Sequence, residues 1–218
     1  MKNIIFIAPP AAGKGTQSKI ISAEYNIPHI STGDLLRDEI KSGSPLGHEL
    51  QTEIDRGGLV KNEIIVRLLK DRISKPDCNN GYILDGYPRN VEQAIIYKDL
   101  LFELKKDIGV VILLDIDKNL ALSRTVNRLI CSSCGTSYNT KVLELAPKIE
   151  GICDRCGHTL RARTDDNSET FENRFNTYLT ETNPLIDYYS ELGILKTVKV
   201  EENDSAQDIF NKIKNILN

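Results

Sequence analysis

Three apolar runs stand out along this chain: residues 3–8 (NIIFIA), 82–84 (YIL) and 109–114 (GVVILL). Each is about one strand long and nearly free of polar side chains, the pattern of a strand buried on both faces of a parallel sheet. Between and after them, residues 14–25, 34–42, 62–74, 90–104 and 117–129 carry apolar positions at helical spacing, and residues 170–192 carry it over a longer stretch. Strands alternating with helices predict a doubly wound α/β sheet flanked by helices. A fourth strand over 194–200 (ILKTVKV) and a helix over about 205–217 complete it, with Ser205 as N-cap and Asp208 in the first turn. Between 130 and 163 the helical pattern gives way to cysteines, glycines, Pro147 and short extended pieces. That stretch predicts an insertion with its own architecture. No solenoid repeat or low-complexity tract interrupts the order.

The cysteines give the insertion a purpose. Four of the five fall as Cys131-x2-Cys134 and Cys153-x2-Cys156, with eighteen residues between the pairs. Each C-x-x-C turn sets two thiolates on one side of a small loop, and two such turns close a tetrahedral site without an open position. Structural zinc is the expected occupant; iron, disulfides or free thiols are the alternatives, with stable disulfides disfavoured in a cytoplasmic chain. Cys78 stands outside the set as an inert thiol, and His158 reads as a surface residue rather than a fifth ligand.

The first strand runs directly into APPAAGKGT, residues 8–16. A tight loop between strand and helix points backbone N–H groups and the positive end of the helix dipole at one spot, which suits a phosphate. Lys14 adds a mobile positive charge for phosphate oxygens. Against the pattern GxxxxGK[ST], Gly13 and Lys14 are in place, Ala8 stands where the first glycine belongs, and Gly15 precedes the hydroxyl of Thr16. Taken alone, this loop leaves open an ordinary turn rich in small residues.

Further polar clusters are STGDLLR (31–37), DGYPR (85–89) with Gln93 just after, and the arginines 124, 128, 163 and 174. These are the residue types of phosphoryl transfer, where positioning and fixed cationic charge carry catalysis without a protein nucleophile. Asp85 follows a strand, at the carboxyl edge where such sheets bind ligands, and a carboxylate there can hold magnesium directly or through water. The bland alternatives are a turn residue for Asp85 and solvated surface positions for the arginines.

A length of 218 residues allows one well-buried core carrying small inserted modules, and 40% hydrophobic with 27% charged residues is ordinary for a globular chain. A net charge of -3 supplies no global basic field, so no nucleic acid is expected as partner. No apolar run approaches the roughly 20 residues that span a bilayer. The apolar N-terminal run is one strand long and leads into the loop, so no secretory leader is expected and a cytoplasmic monomer is the reading.

Taken together, APPAAGKGTQ, STGDLLR, LDGYPR with Gln93, NRLICSSCG, and RTDD followed by Arg174 resemble the adenylate kinase family end to end. The resemblance is to its long bacterial type, whose lid carries four cysteines. It implies a P-loop core over 1–30, 61–127 and 166–218, an AMP-binding segment over 31–60 and a zinc-binding lid over 128–165. It also implies reversible, magnesium-dependent conversion of ATP and AMP into two ADP. By similarity Ala11, Ala12, Gly13, Lys14, Gly15 and Thr16 cradle ATP phosphates, Arg124 and Arg128 approach ATP from the lid's base, and the backbone at Ser137 and Tyr138 touches the nucleotide. Thr32, Arg37, Gly58, Leu59, Val60, Gly86, Arg89 and Gln93 match the AMP site, Gln93 reading the adenine edge. Arg163 and Arg174 match residues bridging the two phosphates. Lys14, Asp85, Arg89, Arg128, Arg163 and Arg174 are therefore the expected catalytic set. Asp165 and Asp166 match lid-hinge carboxylates that pair with lid arginines on closure.

The chain departs from the family at several points. Ala8 and Ala11 replace usual glycines, and the loop stays unstrained if neither position needs a positive φ. Lys61 and Asn62 stand where proline or threonine and aspartate are common, and are expected to matter little. Leu129 replaces a frequent arginine. Two rival functions remain: a related kinase with another nucleoside monophosphate as acceptor, and a zinc-ribbon binding module coupled to an ATP-dependent switch.

Overall fold

The computed structural model describes residues 3–55, 60–162 and 166–218. Strand β1 (Ile4–Ile7) alternates its side chains between two separate cores. Ile4 and Phe6 enter one, Ile5 and Ile7 the other. The same division runs through β3 (Ile83–Asp85) and β4 (Val110–Ile116), where Ile83, Ile112 and Leu114 join the first core and Leu84, Val111 and Leu113 the second. A sheet apolar on both faces must be covered on both.

Helices α1 (Lys14–Tyr25), α6 (Lys118–Val126), α7 (Ser168–Thr177) and α9 (Ala206–Leu217) cover one face through Ile21, Ala121, Phe171, Phe175, Phe210 and Ile213. The other is covered by α4 (Asn62–Ile73), α5 (Val91–Glu103) and α8 (Pro184–Glu191) through Leu69, Ile73, Tyr97, Leu101 and Tyr189. With β2 (His29–Ser31) and β8 (Leu195–Val200) the sheet order is β2-β3-β1-β4-β8, every pairing parallel. The doubly wound expectation holds. At the closing helix, Ser205 and Asp208 form a reciprocal capping box, as their types and spacing predict.

Four local differences have physical causes. Strand β2 goes unpredicted because only Ile30 of its three residues is buried, and three residues carry no readable alternation. Helices α2 (Thr32–Lys41) and α3 (Pro45–Asp55) fold back on one another where a Cβ on Gly47 would lie 2.3 Å from the Glu39 carbonyl oxygen. Only a glycine admits that approach. The helix expected over 117–129 ends at Val126, since Arg128–Cys131 instead forms β5. The stretch 170–192 splits into α7 and α8 around a π-helical turn, Tyr178–Thr182, with Pro184 opening α8 where its missing N–H costs nothing.

Strand β5 belongs to a second, antiparallel sheet of order β6-β5-β7, made with β6 (Ser137–Asn139) and β7 (Leu160–Arg161). This is the independent architecture expected of the insertion. Its core is small: Cys131, Tyr138, Cys153 and Leu160, with Leu129 and Cys134 at its margin. Leu129 thus spends its side chain on that core.

Candidate functional site

The loop after β1 meets α1 at Gly13, whose φ of 94° places it in the left-handed region. Gly13 caps α1 without a side chain, and no acidic residue occupies the first turn. The positive end of this helix therefore lacks the acceptor and charge that usually satisfy it, which suits a phosphate. Ala11 has a φ of 61°, whereas Ala8 is not among the residues with positive φ. The condition set by the sequence is met at Ala8 and not at Ala11: the loop holds one alanine in a conformation that costs an L-residue about 1 kcal/mol. Ala11→Gly is expected to raise the thermal midpoint and Ala8→Gly to lower it, each by a few degrees. Thermal unfolding of both variants checks the opposite signs.

Lys14 Nζ lies 2.7 Å from Asp85 Oδ1 at the end of β3, and His29 Nε2 lies 3.2 Å from Asp85 Oδ2. Burial pushes the Asp85 carboxyl up, but the hydrogen bond from His29 and the charge of Lys14 outweigh it and hold it at about 2. An ionised carboxylate beside the phosphate loop is a suitable donor for a hard cation. His29 escaped sequence reasoning because it sits on the unpredicted β2, whose register with β3 aligns Ser31 with Asp85.

The second cluster assembles one strand away. Thr32, 4% exposed, donates from Oγ1 to the Gly86 carbonyl at 3.1 Å, and Arg89 Nε donates to the same oxygen at 3.1 Å. Gly86 has a φ of 80°, and a Cβ there would stand 3.2 Å from Thr32 Oγ1. Gln93, nearly buried at the start of α5, accepts from the Arg89 N–H at 2.8 Å and donates to Asn62 Oδ1 at 3.0 Å. Asn62, expected from sequence to matter little, therefore touches a predicted site residue. Thr32, Leu35, Leu36, Ile65 and Leu68 line a shallow apolar hollow between α2 and α4. Arg37 pairs with Asp34 at 2.6 Å on the exposed side of α2, and Val60 is half-buried just before α4. Gly58, Leu59, Arg163 and Asp165 lie outside the described residues.

Among the arginines, Arg124 on α6 donates from Nη2 to the Glu201 carbonyl at 3.3 Å, and Arg174 projects from α7 at the surface. Arg128 opens β5 and donates Nε to Asp166 Oδ2 at 2.8 Å, with Nη2 on Asp166 Oδ1. The Asp166 side chain is 1% exposed, so this two-point pair ties the base of the small sheet to the chain leading into α7. Ser137 is exposed on β6, while Tyr138 turns inward, its hydroxyl 3.4 Å from Cys153 Sγ and accepting from the Asp154 N–H at 2.8 Å.

Cys131, Cys134, Cys153 and Cys156 bring their sulfurs within 4.8 Å of one another. Cys131 and Cys156 are separated by 3.4 Å and Cys134 and Cys153 by 3.6 Å, far beyond a disulfide bond. Sulfurs around tetrahedral zinc stand about 3.8 Å apart. The donor set therefore fits zinc. The Thr136 hydroxyl, 3.1 Å away, holds the Cys134 thiol down at about 6, and the Tyr138 hydroxyl lowers Cys153. His158 is exposed, its Nδ1 3.0 Å from the Cys156 carbonyl oxygen, and it takes no part in the cluster. Cys78 is buried beside Arg72, away from both clusters, and desolvation raises its thiol.

Comparison with known proteins bears directly on this arrangement. A family model described as adenylate kinase matches residues 6–194. An adenylate kinase of Clostridium botulinum (strain Hall) is 44% identical over 214 residues, covering 98% of this chain and 97% of that protein. One from Clostridioides difficile (strain 630) is 46% identical over 203 residues and 91% of each chain. One from Thermosipho africanus is 43% identical over 216 residues, 99% of this chain and 98% of that protein.

Proposed function

The chain belongs to the adenylate kinase family, and from that premise we propose how its own residues carry out the reaction. That reaction is the reversible transfer of a phosphoryl group from ATP to AMP, giving two ADP. One observation carries the assignment of roles: the two polar clusters open side by side at the carboxyl ends of β1 and β3, with Lys14 and Asp85 between them.

In this reading Ala11, Ala12, Gly13, Lys14, Gly15 and Thr16 hold the ATP phosphates through backbone N–H groups and the uncapped start of α1. Thr32, Arg37, the strip 58–60, Gly86, Arg89 and Gln93 take AMP. The acceptor phosphate already carries its charge, so no general base is required and the protein supplies alignment and positive charge. Lys14 follows the transferring group, Arg124 and Arg128 approach ATP from the base of the lid, and Arg163 and Arg174 bridge the acceptor and transferred phosphates. Arg128 commits Nε and Nη2 to Asp166 and retains Nη1 for phosphate. The backbone at Ser137 and Tyr138 touches the nucleotide. Magnesium accompanies ATP in this family, and Asp85 is the group that would hold it; bound there it would neutralise phosphate charge.

We infer a core over 1–30, 61–127 and 166–218, an AMP-binding segment over 31–60 and a lid over 128–165. Closing both modules brings arginines onto the phosphates and excludes water, which protects ATP from hydrolysis while AMP is absent. Cys131, Cys134, Cys153 and Cys156 would hold zinc with no ligand position open, which makes the ion structural. We propose a cytoplasmic monomer; separately, no described helix is long and apolar enough to cross a membrane.

The test is a coupled assay for ADP formed from ATP with AMP, UMP, CMP and GMP in turn. Turnover confined to AMP is expected. Equal or better turnover with another monophosphate would transfer the assignment to a different acceptor, and none with any would remove it.

A further inference from the structure

We propose that Asn62 is a specificity-determining residue for the acceptor base, acting by fixing the amide of Gln93 in one orientation. The inference rests on the reading that Gln93 contacts adenine.

A glutamine amide presents an oxygen and an NH2 group of nearly the same shape, so on its own it can offer them in either order. Here the order is forced. The backbone N–H of Arg89 is a donor only, so the Gln93 atom 2.8 Å from it must be Oε1. The NH2 group then faces Asn62, where only Oδ1 can accept it, at 3.0 Å. Gln93 cannot evade these restraints by shifting along the chain, because its own N–H is held by the Asn90 cap at 3.0 Å. The side chain is nearly buried, so a reversed amide would set N–H against N–H at Arg89 and would have to turn the Asn62 amide with it, with little water to compensate.

The two partners leave a defined remainder. Oε1 has two lone pairs and Arg89 takes one; Nε2 has two hydrogens and Asn62 takes one. One acceptor and one donor stay free, in fixed order. Adenine offers the complement, an amino donor beside a ring-nitrogen acceptor. Hypoxanthine offers the reverse along the same edge, a carbonyl oxygen beside a ring N–H, and a reversed Gln93 would suit it. Arg89 restrains the oxygen and Asn62, from α4, restrains the NH2 group; without Asn62 a single hydrogen bond holds the amide, which can then turn toward a base of the opposite pattern.

The experiment compares Asn62→Ala, Asn62→Leu and Asn62→Asp with the parent, using AMP and IMP as acceptors and reading kcat and KM for each substrate. For Asn62→Ala we expect the KM for AMP to rise about fivefold to tenfold and the AMP-over-IMP preference in kcat/KM to fall about tenfold. The KM for ATP should stay within about twofold, which general loosening of the fold would not produce. Asn62→Asp retains an acceptor and should restore both AMP values. Asn62→Leu keeps the volume without the acceptor, and should behave as Asn62→Ala even if alanine lowers the thermal midpoint. Gln93→Ala separates the two layers of inference. If it raises the KM for AMP while Asn62→Ala and Asn62→Leu leave AMP kinetics and preference unchanged, the role of Asn62 is overturned and that of Gln93 stands. If Gln93→Ala itself leaves AMP kinetics unchanged, the underlying reading fails. A lower KM for AMP in Asn62→Ala would mean that Asn62 competes for Gln93, and would also overturn the proposal.

Discussion

Replacing Lys14 with alanine is expected to lower kcat about a thousandfold, with a much smaller change in the KM for AMP. Phosphoryl transfer spreads negative charge over oxygens that move during the reaction, so a cation fixed near them stabilises the transition state more than the ground state. Lys14 sits at the first turn of α1, where its stem can follow the transferring group, and it is held meanwhile at 2.7 Å from Asp85. A compact ammonium with rotatable donors suits a mobile target, so Lys14→Arg should recover only part of the loss. Truncation has a second effect. Asp85 keeps His29 as its partner but loses the lysine, leaving a half-buried carboxylate less compensated, so the thermal midpoint should fall. Steady-state kinetics in the ADP-coupled assay check the first effect; a kcat within tenfold of the parent would remove Lys14 from the transferring group.

The legibility of this chain divides by the range of the information. The phosphate loop and the two C-x-x-C turns could be read directly, since each is a few consecutive residues whose chemistry depends on their own spacing. The central parallel strands β1, β3 and β4 could be read because burial on both faces leaves an apolar run, as in Ile4–Ile7. His29 and Asn62 could not. The importance of His29 depends on a three-residue strand lying beside β3, and that of Asn62 on α4 starting opposite Gln93, 31 positions away. Neither proximity leaves a periodic trace. The strain at Ala11 is a third kind of blind spot. Ala8 and Ala11 are equally conspicuous as replacements for glycine, yet only Ala11 adopts a positive φ, and a residue name alone does not carry a dihedral angle. The first residue of β5 illustrates the opposite error: helical spacing continues through Arg128, but pairing with β6 draws that residue into a strand.

Removing metal from the cysteine cluster is expected to disorder residues 128–162 first and to lower the thermal midpoint by on the order of 10 °C. The reason lies in what the small sheet is built from. Of the six described residues in or against its core, Cys131, Cys134 and Cys153 are metal-ligand candidates, leaving among them Leu129, Tyr138 and Leu160 to bury apolar or aromatic surface. So few side chains cannot offset the ordering entropy of about thirty residues. The Tyr138 hydroxyl faces Cys153 and receives the Asp154 N–H, so losing the metal also unsettles the hydrogen bonds that position β6. The main sheet has two apolar cores of its own and needs nothing from this one. Chelation should therefore accelerate amide exchange across β5, β6 and β7 while β1, β3 and β4 stay protected, and Cys131→Ser should reproduce the pattern without chelator. Arg128 links the two regions through Asp166, so ATP-side kinetics should deteriorate only after exchange in β5 has risen. A protein stripped of metal that kept its full thermal midpoint and its exchange protection in β5 would show that these four cysteines do not hold the small sheet together.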